Sequence, residues 1–146
     1  VPHRLEMVAE IDQVKFINDS KATNVDAVYY ALEGIKEPII WIAGGIDKGN
    51  YDSILDQCVA QKVKGIVCLG IDNSKIENHF SGKVPFMGRA SSTREAIQSA
   101  WEIASAGDVV LLSPACASFD LFTNYEDRGD QFKKAVGALN LKSTSL

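Results

Sequence analysis

The sequence lacks several features that would place it at a membrane, on nucleic acid or outside the cell. No apolar run approaches the roughly 20 residues that a membrane-spanning helix needs. No basic and apolar leader follows Val1, so we expect no secretion signal. Positive charge is not in excess, because the net charge is -4 and the pI is near 5.1. These absences argue against a membrane partner and a nucleic-acid partner, and the cysteine pattern described next favours a reducing cytoplasm.

Cysteine and histidine are also scarce. Cys58, Cys68 and Cys116 are widely spaced in apolar surroundings, which fits neither a disulfide framework nor a CxxC metal site. No other cluster has the spacing of zinc ligands. Only His3 and His79 could activate a nucleophile, so we interpret Cys116 as a small buried thiol.

Common nucleotide and hydrolase motifs are missing. The segment GGIDKG at residues 44–49 resembles a phosphate loop, but Lys48 is followed by Gly49 where a Walker A motif needs a hydroxyl residue. No GxGxxG follows a predicted strand, which argues against an NAD-dependent dehydrogenase. Ser113 and Ser118 lack the GxSxG context of a serine hydrolase.

What the sequence does contain is an alternation of strand-like and helix-like segments. At 146 residues and 46% hydrophobic content, the chain is long enough for one domain with a substantial core. The alternation predicts an α/β fold, a three-layer Rossmann-like doubly wound sheet that is mostly parallel. Asp12-Gln13 between two short strands predicts an N-terminal hairpin, which adds an antiparallel strand.

The predicted elements are as follows. Strands are expected at 5–11, 14–17, 39–43, 65–70, 83–88 (a weak edge strand) and 109–113. Helices are expected at 24–32 with Gly34 as a stop, 52–59, 73–80, 91–104 and 128–139, followed by a frayed tail.

Polar loops follow four of the predicted strands. They are NDSKATN at 18–24, GGIDKGN at 44–50, GIDNSK at 70–75 and the long loop SPACASFDLFTNYEDRG at 113–129. In open α/β sheets, ligands bind beyond the carboxyl ends of the strands. We therefore expect several of these loops to converge on one edge of the sheet.

The first of these loops is too rich in polar chemistry to be only a connection. A helix N-cap by Thr23 or Asn24 would explain one hydroxyl or amide. It would leave Asp19 and Lys21 unexplained, which favours a ligand site. Lys48 in the second loop is either an ordinary solvated lysine or a point charge at the same edge.

Four segments together resemble the Mur ligases of peptidoglycan synthesis. They are PHRLE at 2–6, INDSKATN at 17–24, GGIDKG at 44–49 and LSPACASFDLFTNYEDRG at 112–129. The resemblance covers nearly the whole chain in order, and it is strongest to the type that adds D-glutamate to UDP-N-acetylmuramoyl-L-alanine. It implies that residues 1–146 are the C-terminal, amino-acid-binding domain of a three-domain ligase.

The activity implied by the resemblance is ATP-dependent amide formation through an acyl phosphate, with Mg²⁺ bound mainly by the central domain. The implied partners are D-glutamate, UDP-N-acetylmuramoyl-L-alanine and ATP, and we expect a monomer. This domain would bind D-glutamate and close over the nucleotide, and alone it would be inactive. No catalytic or metal-binding residue is assigned to it.

The resemblance also assigns residues to two ligands. D-glutamate would contact the side chains or backbone of five residues: Thr23, Lys48, Ser118, Phe119 and Tyr125. Cations and hydroxyls suit its carboxylates, because charge-assisted hydrogen bonds are short and strong. The nucleotide would contact Arg4, Asp19 and Lys21, with Asp19 on ribose hydroxyls, whereas Asn18 and Asn24 would fix the loop.

Two alternatives stay open at this stage. The chain could be a stand-alone nucleotide or amino-acid binding module without catalysis, which the absence of a phosphate loop would also fit. A sibling ligase or a folylpolyglutamate synthase would share the fold class. Amino-acid selectivity and the upstream sequence would separate these possibilities.

Overall fold

Strands and helices alternate along the chain as the sequence predicts. The computed structural model describes residues 1–44, 53–116 and 121–144. The strands are β1 (Glu6–Ile11), β2 (Val14–Asn18), β3 (Ile39–Ala43), β4 (Val63–Leu69), β5 (Phe86–Ala90) and β6 (Val109–Leu112). The α-helices are α1 (Val25–Gly34), α2 (Asp56–Lys62), α3 (Ser74–Phe80), α4 (Thr93–Ile103) and α5 (Tyr125–Thr144), and a short 3₁₀ turn (Ser53–Leu55) precedes α2.

Within those ranges the strands form one mixed sheet in the order β1-β2-β6-β3-β4-β5. The β1–β2 pair is antiparallel, and every other neighbouring pair is parallel. This confirms the predicted fold class, including the N-terminal hairpin and the edge position of β5.

Two hydrophobic cores cover the two faces of the sheet. Trp41 of β3 faces α1, α2 and α3, whereas its neighbours Ile40 and Ile42 face α4 and α5. Successive side chains of a strand point to opposite faces, so a strand buried on both sides must be apolar throughout. That requirement explains the continuous run IIWIA, which is fully buried.

Helix ends differ most from the predictions. α1 includes Gly34, which was expected to stop it, and the helix predicted at 52–59 is a 3₁₀ turn followed by α2. α5 starts three residues before the predicted Arg128, because Asn124 Oδ1 accepts a hydrogen bond from Asp127 N at 2.8 Å. It also continues through Thr144, so the frayed tail predicted after Leu139 is wrong over 140–144.

Two long-range contacts fix opposite ends of the sheet. The buried indole of Trp41 donates a hydrogen bond from Nε1 to the carbonyl of Ser113, just past β6, at 2.6 Å. At the amino ends of the parallel strands, the Lys62 ammonium donates to the carbonyls of Leu32, Glu33 and Ile35 at 2.8, 3.0 and 2.9 Å. Lys62 thereby satisfies carbonyls at the C-terminal end of α1 that lack helical partners.

Candidate functional site

The carboxyl ends of β2, β6 and β3 lie side by side and form the candidate site, called the rim below. Main-chain hydrogen bonds join the loops there: Asp19 N to Leu112 O at 2.7 Å, Ser113 N to Ile42 O at 3.1 Å and Gly44 N to Pro114 O at 3.1 Å. β3 leads to α2 on one face and β6 leads to α5 on the other. Such a switch point between divergent connections is where open α/β sheets bind ligands.

Asn18 and Asn24 hold the loop after β2 in place. Asn18 Nδ2 lies 3.0 Å from Glu6 Oε1 and 3.0 Å from His3 Nδ1, and Asn18 Oδ1 accepts from Ser20 N at 3.1 Å. Asn24 Oδ1 accepts from Ala27 N at 2.9 Å and caps α1. The prediction that these two amides fix the loop is confirmed.

Asp19 is buried at the centre of the rim. It is only 5% exposed; Oδ1 accepts from Leu5 N at 3.1 Å, and Oδ2 accepts from Ser113 Oγ at 2.8 Å. Burial raises the pKa of this carboxyl, and the two hydrogen bonds and the charge of Arg4 offset only part of that effect. Asp19 therefore joins the N-terminal segment to the end of β6. Its contact with ribose stays a prediction, and a ribose hydroxyl would have to share the carboxylate oxygens with Leu5 and Ser113.

Arg4 and Lys21 place two exposed cations at the same rim. Arg4 is close enough for its charge to act on Asp19. Lys21 N donates to the carbonyl of His3 at 2.9 Å, and Lys21 Nζ lies 6.0 Å from the centroid of the Tyr125 ring. The structure thus brings together all three predicted nucleotide residues and one predicted glutamate residue.

Thr23 and Tyr125 are the predicted glutamate residues within the described ranges. Thr23 is exposed, and the carbonyl of the preceding Ala22 accepts from Ala115 N at 2.9 Å, next to β6. Tyr125 is half-buried at the start of α5. Lys48, Ser118 and Phe119 lie outside the described residues, so their part in the pocket stays a prediction.

Three of the five non-glycine residues with positive φ in the described ranges lie near these loops, and the other two, Asp12 and Gln13, form the β1–β2 turn. His3, Leu5 and Ala115 have positive φ angles of 65°, 45° and 69°. Residues with side chains rarely adopt this conformation, and such outliers cluster at functional sites. All three flank Asp19 or the loop after β6, which supports the rim as the candidate site.

Sequence reasoning missed Arg128 and made no prediction about the environment of His3. The Arg128 guanidinium is buried in the first turn of α5 and contacts both the loop after β2 and the loop after β6. Its four-residue spacing from Phe132 and Val136, both in the core, is the signal that could have found it. His3 is buried against Asn18, and Gly129 leaves room for the imidazole, which a Cβ at that position would meet.

Cys116 and His79 are the remaining residues that the sequence analysis considered for chemistry. Cys116 is a buried thiol at the rim, where its Sγ donates to the carbonyl of Gly44, as the interpretation required. His79 lies in α3, with Nε2 2.7 Å from Asp56 Oδ1. In the described ranges, no helix is long and apolar enough to cross a membrane.

The described His, Cys, Asp and Glu side chains show whether this domain could bind a metal ion. Among residues 1–44, 53–116 and 121–144, no group of three or more His, Cys, Asp or Glu side chains is arranged to hold a metal ion. The described part of this chain therefore does not fit a resident metal ion, and we derive no step through one.

Fold and rim together define a Rossmann-like α/β domain whose switch point carries exposed cations, a hydroxyl and a half-buried aromatic ring. The chain belongs to the Mur ligase family, because residues 3–116 match the family model described as "Mur ligase, glutamate ligase domain".

Two relatives have names that specify one type of Mur ligase. The chain is 56% identical to the UDP-N-acetylmuramoylalanine--D-glutamate ligase of Porphyromonas gingivalis over 97% of this chain and 31% of that protein. It is 58% identical to the enzyme of the same name from Christiangramia forsetii over 93% of this chain and 31% of that protein. The chain thus spans about a third of the length of these relatives.

A solved structure supports the fold. The MurF ligase of Thermotoga maritima, determined in complex with ADP, matches with a TM-score of 0.59 and 16% identity, covering 95% of this chain and 32% of that one. At this identity the similarity shows the fold alone.

Proposed function

We propose that this chain is the C-terminal domain of an ATP-dependent ligase that adds D-glutamate to UDP-N-acetylmuramoyl-L-alanine in peptidoglycan synthesis. The substrate carboxylate is activated as an acyl phosphate, and the amine of D-glutamate then attacks the activated carbonyl. This domain binds D-glutamate and closes over ATP, which is bound mainly by a central domain. The observation that carries the proposal is the 56–58% identity to relatives named for this D-glutamate ligase activity.

In the proposed site, D-glutamate lies at the rim between the loops that follow β2, β3 and β6. Lys48 and the hydroxyls of Thr23 and Ser118 bind its carboxylates, and Phe119 and Tyr125 complete the pocket. A cation with hydroxyl donors suits a dicarboxylate, since charge-assisted bonds fix both its position and its orientation. Holding the amine free beside the acyl phosphate accelerates the reaction by orientation.

The nucleotide lies next to this pocket in the proposal. Arg4 and Lys21 are exposed cations at the rim and suit phosphate oxygens. Each Asp19 oxygen already accepts one hydrogen bond, from Leu5 N or from Ser113 Oγ. A ribose hydroxyl would donate to a second lone pair on one of these oxygens. The other effect of Asp19 is to hold the N-terminal segment, and hence Arg4, at the rim.

The cellular setting completes the proposal. Mg²⁺ accompanies ATP, with ligands mainly in the central domain, and the protein acts in the cytoplasm as a monomer. Productive geometry then requires this domain to close onto the central one, because the two ligand sites belong to different domains.

The test is which amino acid the full-length protein couples to UDP-N-acetylmuramoyl-L-alanine, with ADP release followed in parallel. We expect D-glutamate to be incorporated with one ADP released per amide formed. L-glutamate, L-alanine, L-lysine and meso-diaminopimelate serve as competitors. Incorporation of another amino acid, or ADP release without amide formation, would contradict the proposal.

A further inference from the structure

Arg128 is a cation in an unusual position on α5. It is 2% exposed and shares one helical stripe with Phe132 and Val136, both of which lie in the core beneath α4 and α5. A charged side chain is rarely buried on an apolar stripe unless its donors are satisfied. The partners of this guanidinium therefore indicate its role.

The guanidinium connects three segments of the rim. Nε donates to Ser20 Oγ at 2.9 Å, Nη2 donates to Ser20 O at 2.7 Å, and Nη1 donates to Cys116 O at 3.2 Å. Ser20 Oγ in turn donates to Tyr125 O at 2.6 Å, which ties the same serine to the start of α5. One planar group thus links the loop after β2, the loop after β6 and the first turn of α5.

These segments carry residues of the proposed pocket. Ser20 lies between Asp19 and Lys21 and three residues before Thr23. Tyr125 opens the helix from which Arg128 itself extends. Each end of the network therefore lies within three residues of a side chain predicted to contact D-glutamate.

We infer that Arg128 is a positioning residue for D-glutamate: it sets the distance between Thr23 and Tyr125 by clamping Ser20 and Cys116. This inference rests on the proposed function. Only a guanidinium fits the task, since its fork of fixed donors spans a hydroxyl and two carbonyls at once. A lysine ammonium is a compact charge on a flexible chain, and it would keep the charge without the fork.

The test compares Arg128→Lys with the wild type in the full-length protein. We expect the KM for D-glutamate to rise roughly tenfold or more, because small displacements of positioned groups have large kinetic effects. The KM for UDP-N-acetylmuramoyl-L-alanine should not change. Ser20→Ala, which removes only the hydroxyl, should raise the KM for D-glutamate by less than Arg128→Lys does.

Lys62→Ala supplies the matched control for a purely structural role. Lys62 also donates to three main-chain carbonyls, but at the opposite edge of the sheet. We expect this variant to lower the melting temperature and to leave the KM for D-glutamate unchanged. An equal change of that KM in the Lys62 and Arg128 variants would overturn the inference.

Chemical rescue gives a second readout that stability alone cannot produce. In Arg128→Ala, millimolar guanidinium, well below denaturing concentrations, should lower the KM for D-glutamate again, and methylammonium should not. If Arg128→Ala does not fold, Arg128→Lys and Ser20→Ala still decide the question.

The outcomes separate the two proposals. If the wild type does not couple D-glutamate, the proposed function fails and this inference fails with it. If the wild type couples D-glutamate and the KM of Arg128→Lys is unchanged, only the positioning role of Arg128 is wrong.

Discussion

At the scale of single residues, the rim combines buried and exposed charges with different consequences. Asp19 and Arg128 are buried and bonded within the domain, whereas Arg4 and Lys21 are exposed. Substituting a buried group changes stability as well as binding, since its partners lose their hydrogen bonds. An exposed cation can be removed with little effect on the fold.

Lys48→Ala in the full-length protein tests the predicted contact between Lys48 and D-glutamate. We expect the KM for D-glutamate to rise, because the variant removes a cation predicted to bind a carboxylate. Lys15→Ala is a suitable control, because Lys15 lies away from the rim. Its Nζ is 2.9 Å from Glu37 Oε2. Glutamate kinetics that match those of the Lys15 variant would remove Lys48 from the pocket.

Asp19→Asn tests the buried carboxyl through pH. The folded pKa is raised above its ordinary value of 3.8, so the wild type loses stability as the pH rises from about that value to the folded pKa, and then levels off. Asparagine does not titrate, and Ser113 Oγ can turn to donate or accept.

Denaturant titrations of both proteins across the acid range provide the measurement. The stability of Asp19→Asn relative to the wild type should increase as the pH rises through this window. A difference that stays constant, or that shrinks with rising pH, would show that burial does not raise this pKa.

At the scale of elements, α5 depends on its close approach to the N-terminal segment. A Cβ at Gly129 would collide with His3 Nδ1, whereas a Cβ at Gly137 on the same helix meets nothing within 4 Å. A side chain at position 129 therefore forces the His3 imidazole to move.

Gly129→Ala and Gly137→Ala form a matched pair. We expect Gly129→Ala to lower the free energy of unfolding by about 1–3 kcal/mol, as overpacking does. Gly137→Ala should raise it by about 0.5–1 kcal/mol, because alanine favours the helix. Denaturant unfolding measures both, and equal effects of the two changes would contradict this account of the contact.

The sequence predicted the elements better than their ends. Continuous apolar runs such as Ile39–Ala43 and the capped start of α4 are local signals, so these elements were predicted correctly. The start of α5 was missed because Asn124 caps it inside a loop that reads as irregular. Its last residues were missed because residues 140–142 are exposed and continue no apolar stripe, although the helix runs on to Thr144.

The sequence predicted which loops form the candidate site, but it did not predict the hydrogen bonds that join these loops. Strand exits and the resemblance placed Arg4, Asp19 and Lys21 at one edge, and the structure brings them together. The contact between Arg128 and Ser20 joins residues 108 positions apart, and no local pattern encodes such a pairing. The same holds for the bond between Asp19 and Ser113.

At the scale of the whole molecule, the proposed function assigns this chain the part of the ligase that binds D-glutamate, whereas ATP is bound mainly by a central domain. The chain spans about 31% of its relatives, and the Walker A motif is absent from its sequence. We therefore expect the 146-residue chain, given ATP, D-glutamate and UDP-N-acetylmuramoyl-L-alanine, to form no amide. Chromatography of the UDP-sugar products measures this, and a product peak that depends on the chain would contradict it.

The bond between Trp41 and the carbonyl of Ser113 gives the protein a built-in optical probe. Indole emission is sensitive to what its N–H touches, so the fluorescence of Trp41 follows any shift of the backbone just beyond β6. Trp101, stacked on Phe16 across the sheet, is the second emitter and can be replaced by phenylalanine. A single-tryptophan protein would then report, through the wavelength and intensity of its emission, any ligand that shifts this part of the backbone.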